Sequence, residues 1–227
     1  MGGASTGVYS SANMATHVGD TEADVRENRR RLHQITGLDD IRFLTQTHGS
    51  SVVRIGSPVD QVNNQGPLPV ADAQWTDVIG IGLAILSADC FPVVLADPDG
   101  QGIGIAHCGW GGATSGVLES LVAAMACRSK RLNAWLGPGI CKRCYEVGPD
   151  VVGRLDVRIS KSVLEAVPKQ QRWLLDLPRY LEMLLQQLGV QRIFRSTNCT
   201  YQDQNLYSYR RDGITGRVAT LVWRETP

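Results

Sequence analysis

The 227-residue chain has no excess charge of either sign: 23 Lys and Arg stand against 22 Asp and Glu, a formal net charge of +1. A global field that would draw nucleic acid or an anionic membrane surface is therefore absent. No apolar run reaches the length of a membrane span, and the opening Met-Gly-Gly-Ala-Ser-Thr has neither a basic n-region nor an apolar h-region. These absences lead to the expectation of a cytoplasmic protein without signal peptide, membrane or nucleic-acid partner. Gly2 and Thr6 fit the spacing of a myristoylation motif, a pattern that a short Gly/Ser turn meets by chance. Repeats, low-complexity tracts and a Walker lysine are missing too. Only four histidines occur, too few for a blue-copper centre plus a trinuclear cluster.

What is present is a core. Apolar residues make up 43% of the chain and charged residues 20%, enough to exclude disorder and to fold one sizeable domain without staples. The six cysteines, Cys90, Cys108, Cys127, Cys141, Cys144 and Cys199, therefore read as thiols rather than a disulfide framework. Cys127 follows an apolar helical stretch and reads as core. Cys141 and Cys144 form a Cys-x-x-Cys pair, but without a second pair the four-ligand count of a zinc knuckle is not met.

Periodicity and punctuation give a first helix capped by Asp20 or Thr21 and stopped by Gly37, with Val25, Arg29, Leu32 and Ile35 on one stripe and Arg26, Arg30 and Arg31 outside. Strands are expected over Ile41 to Thr45 and through Val52, Val53 and Ile55, placed like a hairpin with His48 at a strand end. Residues 56 to 70 read as a loop. Val78 to Leu86, Phe91 to Ala96 and Gly102 to Ala106 read as strands of a layered α/β arrangement, with a turn at Asp97-Pro98-Asp99-Gly100. A Gly-rich segment after His107 leads into a helix from about Val117 to Met125, with Thr114 or Ser115 as cap. A second amphipathic helix runs from Pro178 to Leu188, and a strand from Arg217 to Trp223.

His48 and His107 each fall beside glycine at a strand end, whereas His17 and His33 sit among polar neighbours and read as surface groups or local hydrogen-bonders. Cys90 joins two apolar strands, and Pro92 interrupts the ladder just after it, which turns the thiol toward a cleft. Two imidazoles and a thiolate make a zinc set with an open fourth position. The same residues fit a buried cysteine with two satisfied histidines, and spacings of 42 and 17 residues are no local zinc signature.

Three blocks, Thr45-Gln46-Thr47-His48-Gly49, Ser87-Ala88-Asp89-Cys90-Phe91-Pro92 and Ala106-His107-Cys108-Gly109-Trp110-Gly111-Gly112, resemble the signatures of the laccase-domain family, also called YfiH-like. Ala71-Asp72-Ala73, Leu136 to Ile140, Tyr145 to Gly148, and Tyr207 to Gly213 with Thr215-Gly216-Arg217 resemble further family blocks in order. The resemblance implies an α+β single domain over residues 1–227, with mixed sheets between helical layers (α/β/β/α). It also implies a strand ahead of Gly2-Gly3, against which this chain is either truncated or late-starting, and a zinc held by His48, Cys90 and His107. It further implies phosphorolysis of adenosine, inosine, guanosine and S-methyl-5′-thioadenosine, adenosine deamination, and an older description as a polyphenol oxidase, for which copper would be the metal. Asp72 and Asp89 are candidate proton-shuttling carboxylates by motif proximity, or else orienting groups. The family usually carries Arg where Gly111 stands, so the cation for phosphate is sought in Arg210 and Arg211, which fit surface salt bridges equally well. Cys108 replaces a usual Ala and reads as packing, an extra ligand or an oxidation-sensitive neighbour. The partners expected are a purine nucleoside and phosphate; monomer and homodimer both stay open. Two other readings stand beside this one: a metal-free hydrolase with Cys90 as nucleophile and His107 or His48 as base, and a non-catalytic module closed around zinc by a fourth ligand such as Cys108.

Overall fold

The computed structural model describes residues 2–56, 67–126 and 131–225. Cys127 and the 57–66 part of the expected loop lie outside the described residues. In chain order the elements are α1 (Glu22–Thr36), β1 (Asp40–Arg42), β2 (Val52–Arg54), β3 (Ala73–Thr76), β4 (Ile81–Ser87), β5 (Phe91–Ala96) and β6 (Ile103–Cys108). Then come α2 (Trp110–Thr114), α3 (Val117–Ala124), β7 (Asn133–Leu136), β8 (Glu146–Val147), α4 (Pro149–Val152), α5 (Val157–Val163), β9 (Leu164–Ala166) and β10 (Trp173–Leu175). The last are α6 (Leu177–Gln187), β11 (Arg192–Arg195), α7 (Tyr209–Asp212) and β12 (Val218–Val222). No helix among the described residues is long and apolar enough to cross a membrane.

A six-stranded sheet runs β11-β7-β5-β6-β3-β2, and a three-stranded sheet runs β1-β4-β12. Side-chain alternation, with a period of two, shows how they stack. On β4, Ile81, Leu83 and Ile85 meet Ile103 and Ile105 of β6 and Val94 of β5 in one apolar cluster between the sheets. The alternate residues Ala84 and Leu86 turn outward to a second cluster with Leu32, on α1, and with Phe43 and Leu221. On the other side, Val93, Leu95, Ala106 and Cys108 pack with Leu118 and Leu121 of α3 and Leu181 and Leu185 of α6. The layers are therefore helix, sheet, sheet, helix, the mixed α+β arrangement that the resemblance implies. All seven residues of β4 are buried, because both of its faces are covered. Gly104 permits the α3 contact: a Cβ there would lie 2.9 Å from Leu121 Cδ1. A small third sheet, β8-β10-β9, is antiparallel.

Several expectations need correction. The β1–β2 pair is no hairpin: β1 pairs parallel with β4 and β2 parallel with β3, so the two strands belong to different sheets. On α1, Thr21 caps as expected and accepts the Asp24 N–H, and Gly37 ends the helix at φ +69°. Ile35, however, is exposed, and the buried polar member of the face is Asn28, whose amide donates to Ser5 Oγ and the Asn13 carbonyl. Pairing rather than hydrophobicity fixes that contact. The Gly-rich segment is itself helical: Gly109 caps α2, and Gly116, not Thr114 or Ser115, caps α3 at φ +87°.

Candidate metal centre

The connection from β4 to β5 passes from the small sheet to the large one and carries Ala88, Asp89 and Cys90 across the end of the sandwich. β6, which pairs with β5, brings in His107 one residue before its end, and the bend between β1 and β2 brings in His48. One ligand atom from each of His48, Cys90 and His107 lies within 4.8 Å of the others, and the two imidazoles meet edge to face at 4.7 Å. His107 is 4% exposed, Cys90 half-buried and His48 exposed. Two nitrogens and a sulfur from three separate segments form the donor set of an open zinc or copper site.

Asp72 organises two of the three. Its carboxylate is fully buried and accepts the N–H groups of Thr47 (3.0 Å), His48 (2.9 Å) and Gly49 (2.8 Å) and the Thr47 hydroxyl (3.0 Å). These bonds hold His48 at φ +61°, a left-handed conformation that costs a non-glycine residue about 1–2 kcal/mol. Asp72 Oδ1 also lies 3.0 Å from His107 Nδ1, which leaves Nε2 as the nitrogen for a ligand. Burial pushes the Asp72 carboxyl up, but the bonds to His107, Gly49 and Thr47 outweigh it and hold the group well below the usual carboxylate range. Burial likewise pushes the Cys90 thiol up, and the His107 and His48 imidazoles overcome it, holding the thiol at about 6. Burial lowers His107, yet the Cys90 charge and the Asp72 bond raise it to about 9.

Asp89 stands next to Cys90 at φ +94° and lines the same cleft. One carboxylate oxygen accepts the Thr200 hydroxyl at 2.7 Å and the other the Arg210 N–H at 2.7 Å, while its carbonyl accepts the Ile140 N–H. Both carboxylate oxygens are thus engaged in fixing neighbouring segments.

The cleft encloses ≈ 500 Å³ and is lined by His17, Gln46, His48, Asp89, Cys90, His107, Trp110, Tyr145, Tyr209, Arg210 and Arg217, among others. That size suits a small ligand. Arg210 lies over the Tyr145 ring and Arg217 over Tyr209. Arg211 is absent from the lining: its guanidinium donates to the carbonyls of Thr200, Tyr201, Asp203 and Leu206 and to the Asp212 carboxylate. The second cation of the cleft is Arg217, which sequence reasoning placed only in a strand and a motif block. His17 is exposed, as expected, and also lines the mouth of the cleft, while His33 makes the expected local bond, to Leu38 O at 2.7 Å. Tyr145 and Tyr209 gave no signal beyond their motif blocks.

The glycines beside the centre differ in purpose. A Cβ on Gly109 would lie 2.6 Å from Cys90 Sγ, so only glycine fits there. A Cβ on Gly111 would lie 3.4 Å from the His48 carbonyl, ordinary contact, so the position can accept a side chain. Cys108 alternates to the opposite face of β6 from His107 and is fully buried in the helix-side cluster. Burial pushes its thiol far up, as expected of packing and not of a further ligand.

A family described as multi-copper polyphenol oxidoreductase laccase matches residues 1–225. The purine nucleoside phosphorylase YfiH of Escherichia coli K12 is 34% identical over 226 residues, covering 98% of this chain and 90% of its own. A purine nucleoside phosphorylase of Xylella fastidiosa strain Temecula1 is 40% identical over 210 residues, covering 90% and 80%. A crystal structure of a Neisseria meningitidis protein superposes with a TM-score of 0.91 at 35% identity, covering 100% of this chain and 91% of the other. Bacillus licheniformis YfiH superposes at 0.92 with 29% identity, covering 99% and 90%.

Proposed function

This chain belongs to the laccase-domain, or YfiH-like, family, and from that premise we propose that it is a zinc-dependent purine nucleoside phosphorylase. Its substrates in this reading are adenosine, inosine, guanosine and S-methyl-5′-thioadenosine, and adenosine deamination is a further activity. The observation that carries the reading is the meeting of His48, Cys90 and His107 in a cleft that also holds two tyrosine rings and two arginines.

The donor set fits the metal: a thiol already held at about 6 and an imidazole oriented by a buried carboxylate need little rearrangement to become ligands. When bound there, zinc supplies Lewis-acid polarisation and an acidified water. In phosphorolysis a phosphate oxygen bonds to C1′ of the ribose as the C1′–N9 bond breaks. The purine leaves with that electron pair, takes up a proton, and ribose 1-phosphate remains. Tyr145 and Tyr209 offer ring faces and edges to the purine. Arg210 and Arg217 offer guanidinium forks to phosphate and replace the family's usual arginine at position 111. Asp89 positions Arg210 through its backbone N–H, and Asp72 positions His48 and His107; both carboxylates act as orienting groups rather than proton shuttles.

The test follows adenosine by chromatography, with and without phosphate, in wild type and Cys90→Ala. Phosphate-dependent adenine, absent from the variant, supports phosphorolysis, and inosine formed without phosphate supports the deaminase. Intact adenosine in zinc-loaded wild type overturns the proposal. A second reading, Cys90 as the nucleophile of a metal-free hydrolase with His107 as base, draws on the same lowered thiol and differs in requiring no metal.

A further inference from the structure

The Cys141-x-x-Cys144 pair lacks partners in sequence, but the fold supplies one. Cys141 and Cys144 bracket a single 3₁₀ turn over Lys142–Cys144, closed by the Cys144 N–H on the Cys141 carbonyl at 3.0 Å. A bridge between Gly139 and Cys199, with the Thr200 N–H on the Gly139 carbonyl at 3.1 Å, lays the distant 198–200 segment against that turn. The three sulfurs then lie within 4.8 Å of one another. None of the three thiols lines the cleft of His48, Cys90 and His107.

We propose that Cys141, Cys144 and Cys199 form a second metal site, a tri-thiolate centre for a zinc-class ion that staples the 141–144 turn to the 198–200 segment. Soft thiolates select such ions. Two Zn–S bonds of about 2.3 Å at a tetrahedral angle place their sulfurs about 3.8 Å apart. Cys141 Sγ and Cys144 Sγ stand 3.7 Å apart, already one edge of that tetrahedron. The Cys141 N–H points at Cys199 Sγ at 3.2 Å, the backbone donor that supports a metal-bound thiolate. Among the described residues no fourth His, Cys, Asp or Glu joins the group, and Cys141 and Cys144 are half-exposed, so the fourth position belongs to solvent. The stapled segments carry Tyr145, which lines the cleft, and Thr200, whose hydroxyl holds Asp89 beside Cys90. The ion is structural and acts on the cleft through these two segments.

The test uses the full chain carrying Cys90→Ala, loaded with cobalt(II), so that the tri-thiolate centre is the thiolate site left. The expected result is one cobalt per chain with a thiolate-to-cobalt charge-transfer band in the near ultraviolet, and loss of both when Cys199→Ser is added. Wild type, which needs no substitution, supplies an independent check. Alkylation mapped by mass spectrometry should spare Cys141 and Cys144 in the zinc-loaded protein and modify them once a chelator is added. A single zinc that survives Cys90→Ala and is lost with Cys199→Ser supports this site and counts against the first one. A single zinc lost with Cys90→Ala, equal alkylation with and without chelator, or a Cys141–Cys144 disulfide in zinc-loaded protein overturns it.

Discussion

Asp72 and His107 are joined by a 3.0 Å contact between Oδ1 and Nδ1, and the same carboxylate accepts the backbone N–H of His48. One buried group thus sets the tautomer of one candidate ligand and the backbone of another. Asp72→Asn keeps the shape but puts an NH₂ where an acceptor is needed. We expect metal affinity to fall about 10- to 100-fold, measured by competition with a chelating dye. Unfolding stability should fall by about 1–3 kcal/mol in urea, because backbone N–H groups lose their acceptor.

The lowered Cys90 thiol has a direct readout in metal-stripped protein. Thiolate is the reactive form, so alkylation of Cys90 should rise with pH through a midpoint at about 6 and plateau above it. Cys108, fully buried and with its thiol pushed far up by that burial, should stay slow across the same range. Peptide mapping after timed iodoacetamide pulses separates the two. His107→Ala should move the Cys90 midpoint upward, since the imidazole's charge and hydrogen bond are removed.

The two glycines of the third block should respond differently. Gly109→Ala drives a methyl into Cys90 Sγ and should strip the centre of metal in elemental analysis. Gly111→Ala meets only ordinary contacts and should keep it. Gly111→Arg should also keep the metal and lower the KM for phosphate, because it adds a cation beside His48.

Arg210→Ala and Arg217→Ala should each raise the KM for phosphate about 10- to 100-fold, the equivalent of about 1.5–3 kcal/mol for a charge-assisted hydrogen bond. Arg211→Ala should leave that KM nearly unchanged and lower the melting temperature, because four carbonyls lose their donor.

Legibility in the sequence followed physical locality. β5 was expected with its observed bounds, and the caps of α1 were readable, because strand alternation and capping depend on neighbours in the chain. The convergence of His48, Cys90 and His107 was given by family resemblance, since spacings of 42 and 17 residues carry no local geometry. The β1–β2 error arose because pairing is decided by the sheets and not by the turn: two short apolar runs around Thr47-His48-Gly49 look like a hairpin until Asp72 ties the bend between them to its buried carboxylate. Arg211 and Arg217 were exchanged for a similar reason. Side-chain direction in the four-residue α7 and in the approach to β12 is set by tertiary contacts, with Asp89 fixing where α7 begins. Cys199 was an isolated thiol in sequence for want of the Gly139 bridge.

The central claim is that nucleoside turnover depends on the His48–Cys90–His107 centre loaded with zinc. The most direct measurement strips the protein of metal, supplies adenosine and phosphate, and follows adenine and ribose 1-phosphate as zinc is titrated back. The account predicts no product without metal and full recovery once that centre is filled, in wild type but not in Cys90→Ala. Undiminished phosphorolysis by metal-free protein would contradict it.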